Sequence, residues 1–382
     1  VAVVRSRASA GKGGGRLVVM TANSAWNIVN FRSALVAALI ANGFRVTVLA
    51  PDEPATRATI EGLGASFEPI PLQSSGMSPL ADLRLFLSYL RHFRRLKPFA
   101  MLGYTVKPNI YGSLAAGLCG TRVINNISGL GTAFLQAGTL QNLVSRLYRA
   151  ALRRSRTVVF QNGDDRALFV ERGLIRDGQT ALLPGSGIDL DHFAPRPSRK
   201  DDGDVRFLLI ARLLWDKGVG EFVDAARSLR ERHPNAKFEL LGFLGADNRS
   251  AVPKAVVESW VAEGLIDYLG QTDDVRDAIA QADCVVLPSY REGMPRSLIE
   301  AAAMGKPVIA SDVPGCRDAV IAGETGLLCA ARSAEDLARA MDEFLTMCPD
   351  DRAEMGRSAR KWAEQTFDQH HVIDAYLHAL RD

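Results

Sequence analysis

One stretch constrains the fold of this chain more than any other: Ser289 to Asp312, SYREGMPRSLIEAAAMGKPVIASD, together with the apolar run it follows. Cys284-Val285-Val286-Leu287 is a short continuous apolar run of the kind a buried strand needs, and Pro288 ends it. A loop carrying Glu292 and Gly293 leads to a predicted helix from about Pro295 to Met304, which Gly305 and Pro307 stop before a second strand, Val308 to Ala310. Glu292 thus sits in the loop and Glu300 about two turns down the helix. The free amides of the loop and helix start suit phosphate or a polar sugar. A carboxylate there would repel phosphate, so its use is to accept hydrogen bonds from hydroxyls. Phosphate at the amides and hydroxyls at the acids together describe a nucleotide sugar.

At 382 residues the chain is too long for one ordinary core, so two domains are expected. A hydrophobic content of 47% with 23% charged residues fits a soluble globular protein, and no apolar run is long enough for a transmembrane helix. Cys119, Cys284, Cys316, Cys329 and Cys348 show no paired spacing and read as reduced, mostly buried thiols of a cytoplasmic protein. The net charge of +3 hides an asymmetry: residues 1–190 hold 22 Lys and Arg against 10 Asp and Glu, the rest 24 against 33. The first half is therefore expected to face something anionic, such as nucleic acid, a membrane surface or a phosphorylated acceptor.

Residues 1–15 read as a flexible leader whose GKGGG lacks the spacing of a phosphate loop. Leu17–Met20, a polar loop through Asn27, a helix from about Asn30 to Ala41 and Val46–Leu49 form a βαβ unit of a doubly wound sheet. In residues 81–97, Leu83, Phe86, Leu87, Leu90 and Phe93 recur at helical spacing while Arg84, Arg91, Arg94, Arg95 and Lys97 crowd the other faces. This is either a core-facing helix with a solvated basic side or one lying on anionic lipid, with Leu85 and Tyr89 broadening its apolar contact. Arg146, Arg149, Arg153, Arg154 and Arg156 add to the basic character nearby. Polar, proline-interrupted residues 189–204 read as a linker between domains 16–188 and 205–364. Beyond it, Arg212 and Lys217 flank a strand-to-helix turn where two cations can grip a diphosphate.

EGMPRSLIEAAAMGKPVIASD resembles the Glu-x7-Glu signature of retaining family-4 glycosyltransferases, and ARLLWDKG resembles their GRLxxxKG element, with Ala211 where Gly is common. KPNIYGSLAA and VINNISGLGTAF are similar to bacterial capsule, exopolysaccharide and O-antigen transferases acting on polyprenyl-diphosphate-linked sugars. The resemblance implies an α/β GT-B fold of two Rossmann-like doubly wound domains with an interdomain active-site cleft. It also implies that a C-terminal helix, 365–382, packs back on the first domain. It assigns the donor to Arg212, Lys217, Glu292, Gly293, Met294, Pro295, Ser297, Leu298 and Glu300, with Glu292, Arg212 and Lys217 catalytic, Glu292 on the sugar and Glu300 on the ribose. Acceptor candidates are Asn27, Arg32, Lys107, Asn126 and Ser128, the last standing where many members carry a histidine.

The implied activity is retaining transfer of a hexose or N-acetylhexosamine from a nucleotide-diphosphate sugar, a UDP-sugar by that resemblance, to a polyprenyl-diphosphate-linked sugar. No metal or other cofactor is expected, and no nucleic acid. The implied location is peripheral, on the cytoplasmic face of the bacterial inner membrane, held by the basic N-terminal half. Two rivals stand beside it: a nucleotide-sugar 2-epimerase of the same fold, and a basic nucleic-acid-binding protein, suggested by charge alone.

Overall fold

The computed structural model describes residues 15–73, 78–130, 139–197, 203–245, 248 and 250–381. Most of the expected leader and Gly131 lie outside them. The chain divides into two units, Val1–Gly187 with Gln369–Asp382, and Ile188–Asp368.

In chain order, the first unit contains β1 (Leu17–Thr21), α1 (Ala25–Ala41), β2 (Arg45–Ala50), α2 (Pro54–Gly62), β3 (Ser66–Pro69), α3 (Pro79–Leu96) and β4 (Ala100–Tyr104). A turn of π-helix at Pro108–Gly112 leads into α4 (Ser113–Leu118), followed by β5 (Arg122–Ile127), α5 (Thr139–Leu152), β6 (Thr157–Phe160), α6 (Gly163–Glu171) and β7 (Thr180–Leu182). The second unit has β8 (Val205–Ile210), α7 (Val219–Leu229), β9 (Ala236–Leu241), α8 (Lys254–Ala262), β10 (Asp267–Tyr268), α9 (Arg276–Gln281), β11 (Cys284–Leu287) and α10 (Arg296–Ala303). It ends with β12 (Val308–Ser311), β13 (Gly326–Cys329), α11 (Ala334–Thr346) and α12 (Pro349–Thr366); α13 (Gln369–Arg381) then belongs to the first unit.

Each unit is an α/β domain around a parallel sheet. The first sheet runs β3-β2-β1-β4-β5-β6-β7 and the second β10-β9-β8-β11-β12-β13. Central strands such as LVVMT and CVVL are buried along their whole length, as strands covered on both faces must be. In both sheets the strand order reverses once, between β1 and β4 and between β8 and β11, and a doubly wound sheet binds its ligands outside the carboxyl ends of such a pair.

On one face of the first sheet, Val18, Met20, Val48, Leu102, Ile124 and Val159 pack against α1, α2 and α13. On the other, Val19, Leu49, Met101 and Val123 pack against α3 and α4, and Ile127, Val158 and Phe160 against α5 and α6.

Several sequence expectations are corrected. Residues 188–197 are not a free linker: Ile188 and Phe193 are buried in the second unit's core, and Asp189 accepts the backbone amides of Asp191 and His192 at 3.1 and 2.9 Å. The return to the first unit comes at Gln369, so Phe367 stays in the second unit's core. Helix α1 starts at Ala25, not near Asn30, because Ser24 Oγ accepts the Asn27 amide and the Glu53 carboxylate accepts those of Ala25 and Trp26. In α3 the buried stripe is Leu85, Tyr89 and Phe93, so Leu85 and Tyr89 are unavailable to any surface while Leu83 and Leu87 are exposed. All five cysteines are free, Cys348 being exposed. Among the described residues no helix is long and apolar enough to cross a membrane.

Candidate active site

At the second unit's switch point, the loops after β8 and β11 are tied together by short-range chemistry. Arg212 follows β8, and a 3-10 turn, Trp215–Lys217, ends at Gly218 in the left-handed region with φ of +73°. A Cβ at Gly218 would lie 2.2 Å from the Pro288 carbonyl oxygen, so only glycine lets this turn close on the end of β11. The Tyr290 amide donates to the Asp216 carbonyl at 2.9 Å, completing the junction.

This closure brings Lys217 Nζ into direct contact with Glu292 Oε1. The same oxygen lies 2.7 Å from Ser289 Oγ, which is itself 3.1 Å from the Asp216 carbonyl. The Glu292 backbone is fixed from the far side by its amide donating to the Pro314 carbonyl at 3.1 Å. Gly315, with φ of +83°, would place a Cβ 2.4 Å from the Glu292 carbonyl oxygen. Beneath this loop, burial pushes the Cys316 thiol up, with the Glu292 charge adding to the effect, which keeps that thiol protonated. Tyr290 donates to Glu221 at 2.6 Å, and burial together with that carboxylate pushes its phenol up to about 12.

Helix α10 begins directly after its N-cap Pro295, which supplies no side-chain cap, and a helix N-terminus of this kind offers backbone amides to an anion. Gly293, Pro295 and Leu298 are buried, Met294 and Ser297 partly so, and Arg212 is exposed with no hydrogen bond or ion pair to its guanidinium among the described residues. Glu300, 8% exposed, accepts from Arg296 Nε at 2.6 Å. Burial raises its carboxyl above the ordinary value while Arg296 acts in the opposite direction. The structure therefore brings Lys217 and Glu292 together directly, while Glu300, on α10, is paired with Arg296. Ser289, Asp216 and Gly315 are members of this arrangement that sequence reasoning missed. A serine directly after a strand-ending proline was the available signal for Ser289.

At the first unit's switch point, Thr105 follows β4 with φ of +65°, a strained conformation for a β-branched residue, and its Oγ1 accepts the Asn23 amide at 3.1 Å. Lys107 Nζ sits 2.9 Å from Asp82 Oδ1, and Tyr111 donates to Asp82 Oδ2 at 3.0 Å. Asn126 Oδ1 accepts from Ser128 Oγ at 2.7 Å, and its amide donates to Tyr376 Oη at 3.0 Å. Arg32 is buried: it donates to Asn27 Oδ1 at 2.8 Å and lies 3.8 Å over the Tyr104 ring. Burial pushes the phenols of Tyr104 and Tyr376 up. Of the acceptor candidates, Asn126 and Ser128 are thus joined directly, Asn27 and Arg32 form a second pair, and Lys107 belongs to a third group with Asp82.

The sequence model for glycosyl transferases group 1 matches residues 192–362, and that for the glycosyl transferase 4-like domain matches residues 29–186. The chain is a glycosyltransferase with one domain of each of these two types. A relative of this glycosyltransferase, the N,N'-diacetylbacillosaminyl-diphospho-undecaprenol alpha-1,3-N-acetylgalactosaminyltransferase of Campylobacter jejuni, is 27% identical over 370 residues, covering 92% of this chain and 94% of that protein. The glycogen synthase of Mycobacterium tuberculosis is 31% identical over 204 residues, which is 51% of this chain and 48% of that protein. Among solved structures, an Anabaena protein in complex with UDP-glucose superposes with a TM-score of 0.77 at 18% identity, over 96% of this chain and 99% of that one. Sucrose-phosphate synthase of Thermosynechococcus elongatus superposes with a TM-score of 0.78 at 17% identity, over 96% and 98%. These two likenesses give the fold: two Rossmann-like domains of the GT-B type.

Proposed function

We propose that this glycosyltransferase moves a hexose or N-acetylhexosamine from a nucleotide-diphosphate sugar, a UDP-sugar in our reading, onto a polyprenyl-diphosphate-linked sugar in bacterial surface-glycan assembly. The observation that carries the donor side is the contact between Lys217 and Glu292 at the carboxyl ends of β11 and β8, beside the uncapped start of α10. The acceptor class is supported by the Campylobacter relative, whose match runs nearly the length of both chains.

In this reading Arg212, Lys217 and the first amides of α10 take the donor diphosphate, and removing one such donor typically costs a hundredfold or more in rate, about 3 kcal/mol. Glu292 accepts a hydrogen bond from a hydroxyl of the sugar and Glu300 from the ribose hydroxyls, and Gly293, Met294, Pro295, Ser297 and Leu298 shape the wall. The acceptor hydroxyl attacks the anomeric carbon on the face the diphosphate leaves. The bond to the leaving phosphate oxygen breaks, and that oxygen takes the hydroxyl's proton, so configuration is retained and nucleoside diphosphate is released. The chemistry asks for no metal and no further cofactor. Asn27, Lys107, Asn126 and Ser128 meet the acceptor, with Arg32 holding Asn27 from behind. We place the enzyme on the cytoplasmic face of the inner membrane, peripheral, drawn there by its basic N-terminal half.

The test is a panel of UDP- and GDP-sugars with a polyprenyl-diphosphate sugar in detergent, with and without EDTA, reading nucleotide release and the anomeric configuration of the product. Acceptor-dependent release with one donor, unaffected by EDTA and retaining, is the expected result. Release without acceptor would replace this reading with an epimerase, and an inverted product would overturn the stereochemical assignment.

A further inference from the structure

Helices α3, α4 and α5 form one layer on the same face of the first unit's sheet, with α4 packed against both of its neighbours. Their outward residues are unusual in composition. Leu80, Leu83 and Leu87 of α3 are all more than half exposed, Leu118 at the end of α4 is 67% exposed and Leu143 of α5 is also exposed. The same helices carry Arg84, Arg91, Arg94 and Arg146, with Arg153 directly after α5, all exposed, and their guanidinium groups make no ion pair or hydrogen bond among the described residues. Only one acid occurs in these three helices, Asp82, and it is turned inward on Lys107 and Tyr111. At the α3 edge the nearby Glu68 already pairs with Arg95 and His92. Arg84, Leu87, Ser88, Arg91, His92 and Arg95 line a groove of about 520 Å³ along α3.

Unpaired arginines alone would suit any polyanion. Five leucines held in water among them are different, because exposing them costs free energy that only an apolar partner recovers. A nucleic acid backbone offers phosphates and no apolar layer. The interface of an anionic bilayer offers both, with phosphates at the depth of the guanidinium groups and acyl chains just beneath, where short apolar side chains settle.

We propose that the outer surface of the α3–α4–α5 layer docks flat on an anionic membrane, with Leu80, Leu83, Leu87, Leu118 and Leu143 entering the headgroup region and Arg84, Arg91, Arg94, Arg146 and Arg153 pairing with lipid phosphates. This deepens the reading of a membrane-acting enzyme given above and rests on it for the choice of surface in the cell. The docking itself needs no acceptor. Through Asp82, the docking helix also holds Lys107 at the carboxyl end of β4, so the ammonium of that acceptor candidate is fixed relative to the membrane plane.

The experiment is vesicle flotation of the purified full chain, with no polyprenyl lipid present, on phosphatidylcholine vesicles and on vesicles with added phosphatidylglycerol. Variants are Leu80→Ser/Leu83→Ser/Leu87→Ser, Arg84→Glu/Arg91→Glu, the single Leu80→Ser, and Lys254→Glu on the second unit as a charge control, each checked by thermal melting and UDP binding. The expected result is binding to the anionic vesicles only, weakened at least about tenfold by either multiple substitution and partly by Leu80→Ser, and unchanged by Lys254→Glu. Vesicle binding that survives both multiple substitutions would overturn the assignment of this surface. Equal binding to neutral vesicles, or a requirement for added polyprenyl-diphosphate sugar, would overturn the docking mode. Tight DNA binding lost with the arginine variant and kept by the leucine variant would hand the surface to a polyanion. Flotation as expected without any sugar transfer in the donor panel would leave the surface standing and remove the proposed function instead.

Discussion

Glu292 and Lys217 are 75 positions apart in the chain, yet the carboxylate and the ammonium touch, because each rides on the loop after one of the two strands that flank the second sheet's switch point. The pair is mostly shielded, with side-chain exposures of 15% and 20%. Removing one partner leaves the other partly desolvated without its counter-charge, which costs more than breaking an exposed pair would. Lys217→Ala and Glu292→Ala are each expected to lower kcat/KM by roughly a hundredfold or more. The double variant should fall short of the product of the two losses, as residues in direct contact are coupled. Multiplicative losses would show that the two act independently.

Gly315 tests the backbone beneath the same carboxylate. Gly315→Ala puts a methyl group 2.4 Å from the Glu292 carbonyl oxygen at a φ of +83°. The expected result is a stability loss of about 1–3 kcal/mol with a drop in kcat larger than any change in nucleotide affinity. A variant with full kcat would separate the Glu292 loop from the chemistry.

Glu300 carries a pH signature. Its carboxyl is held above the ordinary 4.5 by burial, against the pull of Arg296. A raised carboxyl favours the folded state most below the unfolded value, and that contribution is lost as pH rises through the folded value. Glu300→Gln cannot ionise. Its melting temperature relative to the unsubstituted protein should therefore shift upward as pH is raised from about 4 to about 7. A constant difference across that range would refute the assignment.

Tyr376→Phe removes the hydrogen bond from Asn126 Nδ2, at an expected cost of about 0.5–1.5 kcal/mol. Because Asn126 Oδ1 also receives Ser128 Oγ, the acceptor KM should rise while the donor KM stays constant. Equal changes in both would make Tyr376 purely structural.

The strand–loop–helix–strand around Glu292 was legible because a buried parallel strand and a short helix bounded by Pro295 and Gly305 each leave an unmistakable pattern. Helix α3 was harder. Its apolar residues are so dense that Leu83, Leu87 and Leu90 share helical spacing just as Leu85, Tyr89 and Phe93 do, and only packing against Val19, Leu49 and Met101 decides which stripe is inside. The segment after Gly187 was misread for the opposite reason: a polar, proline-rich composition concealed Phe193, whose ring is buried among α10 and α12 residues. The start of α1 could have been read from Ser24, whereas the second cap, Glu53, arrives from 28 residues away and leaves no local trace. The Lys217–Glu292 contact is of the same long-range kind, and neither spacing nor periodicity announces it.

Helix α13 completes the core of the first unit with Val372, Tyr376, Leu377 and Leu380, although all of the second unit separates it from the rest of that core in the chain. Each such side chain contributes roughly 1.5–3 kcal/mol when covered. A nascent chain emerging from the ribosome therefore cannot finish its first domain first. The sheet face made by Val18, Met20, Leu102 and Ile124 waits without its final helix until the second domain has been translated. Domains usually mature in the order of synthesis, N-terminal first. Here the order is reversed: the second unit has all of its residues before the first has its last helix, and during that interval the apolar face of the first sheet stays uncovered.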